Sequence, residues 1–278
     1  MMKITLLGTG SPIPDPNRAG PSSLVSSDGS VLLIDAGRGV VTRLVGAGYF
    51  PPMLTGVLLT HLHSDHISDL NDIITSYWVM SQPDSETPLS IWGPPGTIKL
   101  VQHILEMLQE DIHYRITHHD DLNAAPRLNV VEVAPGDVFT VGTLSVKVGE
   151  TDHRPVHPSV AFRISDGVHD VVMAGDGIPC DSLDELLVGA DAYVQTVLRE
   201  DIVKMVPVAR LQDILDYHST VEQAAQTAQR AGIKHLILTH YVPAPPPGGE
   251  AEWAAAAKEH FSGNLVVGPD LTSIDLNA

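Results

Sequence analysis

The stretch VLLTHLHSDHISDL, residues 57 to 70, places three histidines and an aspartate within six positions, directly behind an aliphatic run that reads as a buried strand. A fold carrying it must let the chain leave a strand and enter a helix while four strong ligand side chains stay together. On a continuing strand His61 and His63 share a face. As the chain turns into the helix that follows, Asp65 and His66 come round to a second centre, a geometry that suits two metals better than one. Clustered imidazoles behind an apolar strand make poor helix caps and good metal chemistry.

The surrounding pattern is α/β. The first forty-five residues alternate short apolar runs (ITLL, SSLVSS, SVLLIDAG) with turn chemistry at Gly8, Gly10, Pro12 to Pro16 and Asp28-Gly29, as in a meander of strands. Residues 38 to 47 carry apolar positions at helical spacing and stop near Gly48. Ile67, Leu70, Ile73, Ile74 and Tyr77 make one face of the helix that starts inside the histidine cluster. PLSIWGPPG reads as a strand and turn, and TIKLVQHILEMLQ as an amphipathic helix. From about 128 to 175 the period is two again. The helix TVEQAAQTAQRA follows, with Ser219 and Glu222 placed as a capping box and Gly232 as its stop. KHLILTH closes the pattern with a strand. VLLTH at 57 to 61 and LILTH at 236 to 240 hint at two similar halves, each delivering a histidine at a strand's carboxyl end. The proline-rich VPAPPPGGE is too short for a linker and reads as a loop, so one domain is expected over residues 1–278.

Composition bears on partners and compartment. Sixteen Lys and Arg stand against thirty-four acids, a formal charge of −18. That balance argues against a large nucleic-acid partner, whose phosphates call for a basic face. No apolar window is long enough to span a membrane. The start, MMKITLLGTGSP, reads as a strand entering a turn and not as a secretory signal, so a cytoplasmic protein is expected. The lone Cys180 excludes an internal disulfide and reads as a small packed residue.

Beyond the cluster, LLGTGSPIPDPNRAGPSSLV, LLIDAGRGV, THLHSDH, IWGPPG, DHRPVHPSVAFRI, AGDGIP, YHSTVEQAA and LTHYVP together resemble the metallo-β-lactamase superfamily, in its ribonuclease Z and arylsulfatase-like branch. The resemblance spans nearly the whole chain. It implies a four-layer αββα sandwich with a di-metal site at one edge of its two sheets. It further implies that His61, His63 and His153 bind one metal, that Asp65, His66 and His240 bind the second, and that Asp176 bridges them. His153, Asp176 and His240 each end a predicted strand, where side chains from separate strands can converge. A lone Asp before Gly is otherwise usually a turn residue. Without a thiolate in the set, two Zn2+ fit best, with Mn2+ or Fe also within reach of such donors. His103, His113, His118, His119, His169, His235 and His260 read as surface or packing residues, while His157, four after His153, is a candidate for the pocket wall.

Two such metals sharing a hydroxide predict hydrolysis of an ester, phosphodiester or sulfate-type. Asp65 is a candidate for orienting the water. His218, matching the first position of the family's HST, is a candidate for protonating the leaving oxygen. Three departures set this chain apart. Only twenty-two residues separate His153 from Asp176, leaving no room for the inserted arm that grips transfer RNA. GDT reads Gly175-Asp176-Gly177. The carboxylate of HEAT, expected to support His218, is Thr196. The expected substrate is therefore a small or exposed ester, with RNA disfavoured by charge and by the absent arm. The alternative is a transfer-RNA 3′-processing endoribonuclease; a lactone or ester hydrolase and a non-catalytic metal-binding sensor follow. A homodimer through Tyr49 to Leu54 is expected, and loops 82–88, 113–127 and 242–250 are expected to set specificity.

Overall fold

The computed structural model describes residues 1–82 and 85–276. Pro83 and Asp84, in the expected specificity loop 82–88, lie outside the described residues. Among the described residues fourteen strands make two sheets. The first is built from β1 (Lys3–Gly8), β2 (Ser22–Ser27), β3 (Ser30–Ile34), β4 (Gly56–Leu58), β5 (Leu89–Gly93) and β6 (Leu128–Glu132). The second is built from β7 (Val138–Val141), β8 (Leu144–Glu150), β9 (Val160–Ser165), β10 (Asp170–Met173), β11 (Ala192–Leu198), β12 (His235–Val242) and β13 (Asn264–Val267). The last strand, β14 (Ser273–Asp275), returns to the first sheet beside β1.

The central strands of each sheet are apolar on both faces. Leu58 of β4 and Ile237 of β12 point into the core between the sheets. Their neighbours Val57 and Leu59 face the helices Val40–Gly46, Leu70–Met80 and Thr97–Met107. Leu236 and Leu238 face Asp181–Leu187, Val221–Ala231 and Glu250–Lys258. The continuous aliphatic runs VLL and LIL follow from this double coverage, which leaves no wet face to demand alternation. The result is the expected αββα arrangement, with helices outside two facing sheets.

The two halves repeat a pairing plan, though not in the register that the LTH motifs suggest. The order β14-β1-β2-β3 is antiparallel throughout and β3-β4-β5-β6 parallel. In the second sheet β7-β8-β9-β10 is antiparallel and β10-β11-β12-β13 parallel. By this plan β4 corresponds to β11, and β12 to β5. The two LTH sequences therefore end strands that are not equivalent.

Local differences have local causes. The helix expected through the histidine cluster is two pieces, Ser64–Ile67 and Leu70–Met80. Between them Asp69 turns aside to donate its N–H to Ala36 O at 3.0 Å and to accept from Gly39 N. The capping box falls one residue later than expected, on Thr220 and Gln223, because the Ser219 hydroxyl is committed to Gly177 O at 2.8 Å. Gly232 ends that helix at φ 68, as its position implied. Residues 113 to 118 of an expected loop belong to a helix, Gln109–His118, none of whose side chains is buried. Among the described residues no helix is long and apolar enough to cross a membrane.

Candidate metal centre

The ligand candidates gather where strands of the two sheets end. His61, His153 and Asp176 each lie three residues beyond the last residue of a strand, after Leu58, Glu150 and Met173 respectively. His63 caps the short helix that presents Asp65 and His66 in its first turn. His240 lies within β12 in the left-handed region, φ 51, a conformation that non-glycine residues adopt at a cost. Six of the seven are buried, and half-buried His63 is the one open to solvent.

The structure brings all seven together in two groups, His61, His63, His153 and Asp176, and Asp65, His66 and His240. In the first, His61 Nε2 and His153 Nε2 stand 3.1 and 3.3 Å from His63 Nδ1, and 3.8 and 3.9 Å from Asp176 Oδ2. In the second, Asp65 Oδ2 lies 3.6 Å from His66 Nε2 and 3.2 Å from His240 Nε2. Asp176 Oδ2 reaches this group too, 3.4 Å from His66 Nε2 and 3.6 Å from His240 Nε2. Bonds of about 2.1 Å at tetrahedral angles put donors about 3.4 Å apart, so these are the separations a bound zinc requires. His66 Nε2 and Asp176 Oδ1 are fully buried without a hydrogen-bond partner, a costly state for polar atoms unless an ion completes them. The residues fit the metal that the fold implies.

Electrostatics favour open lone pairs in the first group. Burial, reinforced by His66, holds the His61 imidazole well below its ordinary pKa, and burial brings His153 down to about 4. Burial would raise Asp176, but His240 and His66 outweigh it and keep the carboxylate ionised.

A supporting layer fixes the rings. Asp35, directly after β3, accepts from His66 Nδ1 at 2.8 Å and from Thr60 Oγ1 at 2.8 Å, and Thr60 Oγ1 lies 3.1 Å from His61 Nδ1. His153 Nδ1 donates to Tyr217 O at 2.9 Å, leaving Nε2 as the ligand atom. The sequence reading assigned no role to Asp35. Its only signal was a carboxylate at a strand exit, inside the quoted LLIDAGRGV. His218 sits against the centre, with Nε2 3.2 Å from Asp176 Oδ2 and Nδ1 donating to Ile214 O at 3.2 Å. The support expected from a carboxylate at 196 thus comes from a main-chain carbonyl. Beside His153 a cleft of about 540 Å3 is lined by Glu150, Thr151, Asp152, Arg154, His157 and Cys180, which places His157 in a pocket wall and Cys180, half-buried, in the same one.

A description of the Beta-lactamase superfamily domain matches residues 31–241. Ribonuclease Z of Mycobacterium avium (strain 104) is 52% identical over 278 residues, 100% of this chain and 99% of its own length. The chain belongs to the ribonuclease Z family of that superfamily. A second member, ribonuclease Z of Mycobacterium tuberculosis (strain ATCC 25618 / H37Rv), is 48% identical over 100% of this chain and 99% of its own length. Among solved structures, the metallo-β-lactamase fold protein YhfI from Bacillus subtilis matches with TM-score 0.75 and 26% identity, covering 98% of each chain. Human tRNase Z, short form, matches with TM-score 0.70 over 99% of each chain at 22% identity, a likeness of fold.

Family membership corrects the expectation that RNA is disfavoured. The twenty-two residues between His153 and Asp176 are a turn and the hairpin β9-β10, so no arm lies there. The family's mycobacterial ribonucleases nevertheless align end to end with this chain, so they are as compact as it is. Net charge is a sum over the whole surface and does not decide the partner: the ribonucleases of this family align with a chain of charge −18. The arylsulfatase-like part of the resemblance finds no support among these relatives. Nor do they show the homodimer expected from Tyr49 to Leu54, a segment in which Pro51 and Leu54 are buried and Phe50 and Met53 exposed.

Proposed function

We propose that this protein is a zinc-dependent endoribonuclease that hydrolyses a phosphodiester bond of precursor transfer RNA on its 3′ side. One observation carries the reading: seven donor side chains and His218 meet around Asp176 in a chain that is 52% identical along its length to a ribonuclease Z. His61, His63 and His153 would hold one zinc ion, Asp65, His66 and His240 a second, and Asp176 both. Bound there, the ions would act as Lewis acids and lower the pKa of an attacking water. The protein supplies the rest. Asp65 and Asp176 fix the negative charge of the site, and the buried walls keep bulk water from competing. His218 has Nδ1 anchored on Ile214 O, so Nε2 faces the reacting centre and delivers a proton to the leaving oxygen as the P–O bond breaks. Arg154, exposed at the cleft beside His153, is held by the Asp152 carboxylate through Nε at 2.8 Å and through Nη2, and would have to exchange that partner to meet an RNA phosphate. The same reading places the protein in the cytoplasm.

Purified protein should contain two zinc ions per chain by elemental analysis and should cut a precursor transfer RNA carrying a 3′ trailer. A chelator should stop the reaction and added zinc restore it. His218→Ala should lower kcat by about 10²- to 10⁴-fold with zinc content unchanged. Zinc-replete, folded protein that leaves the precursor intact would exclude this function.

A further inference from the structure

Asp176 is carried by a turn, Gly175-Asp176-Gly177, with glycine on both sides. Gly175 has φ 66, and a Cβ there would lie 2.8 Å from Thr60 Cβ. Two glycines flanking one ligand give the most pliable backbone a chain can build, yet the carboxylate must stand between two groups of donors. The carbonyls on either side of it are gripped from elsewhere. Gly177 O accepts from Ser219 N at 2.9 Å and from Ser219 Oγ at 2.8 Å. Gly175 O accepts from Thr196 Oγ1 at 2.9 Å and from Gln195 Nε2 at 3.2 Å.

The second grip is a network in its own right. Gln195 is immobilised because Tyr193 Oη donates to its Oε1, while its Nε2 also reaches Thr196 O at 2.9 Å. Tyr193, Gln195 and Thr196 are 1%, 1% and 4% exposed, in a strand with every residue buried. Burying a phenol, an amide and a hydroxyl costs desolvation that apolar side chains of the same shape would avoid. Thr196 and Gln195 converge on one carbonyl, the one preceding Asp176, and Tyr193 braces Gln195.

We infer that Thr196, backed by Gln195 and Tyr193, is a positioning residue for Asp176, an inference that rests on Asp176 being a metal ligand. Its hydroxyl stands where the family pattern has a carboxylate. In place of acting on His218, it fixes the Gly175 peptide and with it the direction in which Asp176 projects its two oxygens. The loss of the family's glutamate is thus an exchange of one support for another.

The test measures zinc affinity of the full-length protein by competition with a chromophoric chelator, alongside kinetics on precursor RNA. Thr196→Val should weaken zinc binding by about tenfold or more, and Thr196→Ser, which keeps the hydroxyl, should restore affinity to near the wild-type value. The activity loss should fall on kcat and spare KM, because Thr196 touches no substrate. Thr196→Val that folds and binds zinc as tightly as wild type overturns the inference, since a merely structural hydroxyl would shift only the melting temperature of the metal-free protein. Should Thr196→Val fail to fold, Tyr193→Phe decides: weaker zinc binding supports the network, and unchanged binding overturns it. A wild-type protein that holds zinc yet leaves precursor RNA uncut would remove the proposed function and leave this role, read on zinc, in place.

Discussion

Asp35 holds two of the five donor rings at once, His66 directly and His61 through Thr60. Asp35→Ala should therefore weaken zinc binding by about 10- to 100-fold, as removal of outer supports does elsewhere, in the same chelator titration. Gly177 makes a second residue-level case. It has φ 151, and a Cβ would lie 2.9 Å from Asp152 O, so restoring the family's threonine with Gly177→Thr should cost about 1 to 3 kcal/mol in denaturant unfolding. Equal stability of the two proteins would contradict that strain. His61, His63, Asp65 and His66 were legible in the sequence because ligands packed into six positions have few other uses. Asp35 was not, because one carboxylate after a strand looks like any turn residue. At Thr196 the sequence showed what was missing and could not show which carbonyl the replacement would hold.

Strands and their junctions were legible where burial left a pattern. The helix Gln109–His118 buries nothing, so it leaves no apolar stripe to read, and the histidine helix read as one because its break depends on Asp69 meeting residues some thirty positions away. Junctions of this kind also store pH dependence. Asp191, just before β11, accepts from Asp170 N at 3.0 Å and from Lys234 Nζ at 2.7 Å, while its own carbonyl accepts from Lys234 N and His235 N at the start of β12. Burial would raise its pKa, but the Lys234 ammonium and the Asp170 amide outweigh burial and hold it below the usual carboxylate range. A depressed folded value means that its contribution is present above the unfolded pKa near 3.9 and is lost as pH falls through the folded one. Asp191→Asn should accordingly cost about 1 kcal/mol at pH 7, and the gap from wild type should close as pH drops below about 4. A gap constant from neutral to acid would show that the charge contributes nothing.

At the scale of the whole molecule, a charge of −18 implies opposite responses to salt. Screening relieves self-repulsion, so the melting temperature of the protein alone should rise between about 0.05 and 0.5 M monovalent salt. Binding of precursor RNA should weaken over the same range, because counterions then compete for its phosphates. Parallel trends in calorimetry and filter binding would sink this account. The alternation of strands and helices was legible from period, and the four layers came only with the family resemblance that the quoted motifs carry. The pairing plan was not, since the LTH motifs that suggested a repeat end strands with different places in it. The plan also divides the centre. Four donors follow a strand of the first sheet and three belong to or follow strands of the second, and His240 Nε2 meets Asp65 Oδ2 at 3.2 Å across 175 positions of sequence. An ion held there is a removable cross-link between the halves of the chain. It would stabilise only the folded form, by an amount that grows with the logarithm of free metal, so metal supply would set how firmly the fold resists opening as well as whether the site is armed.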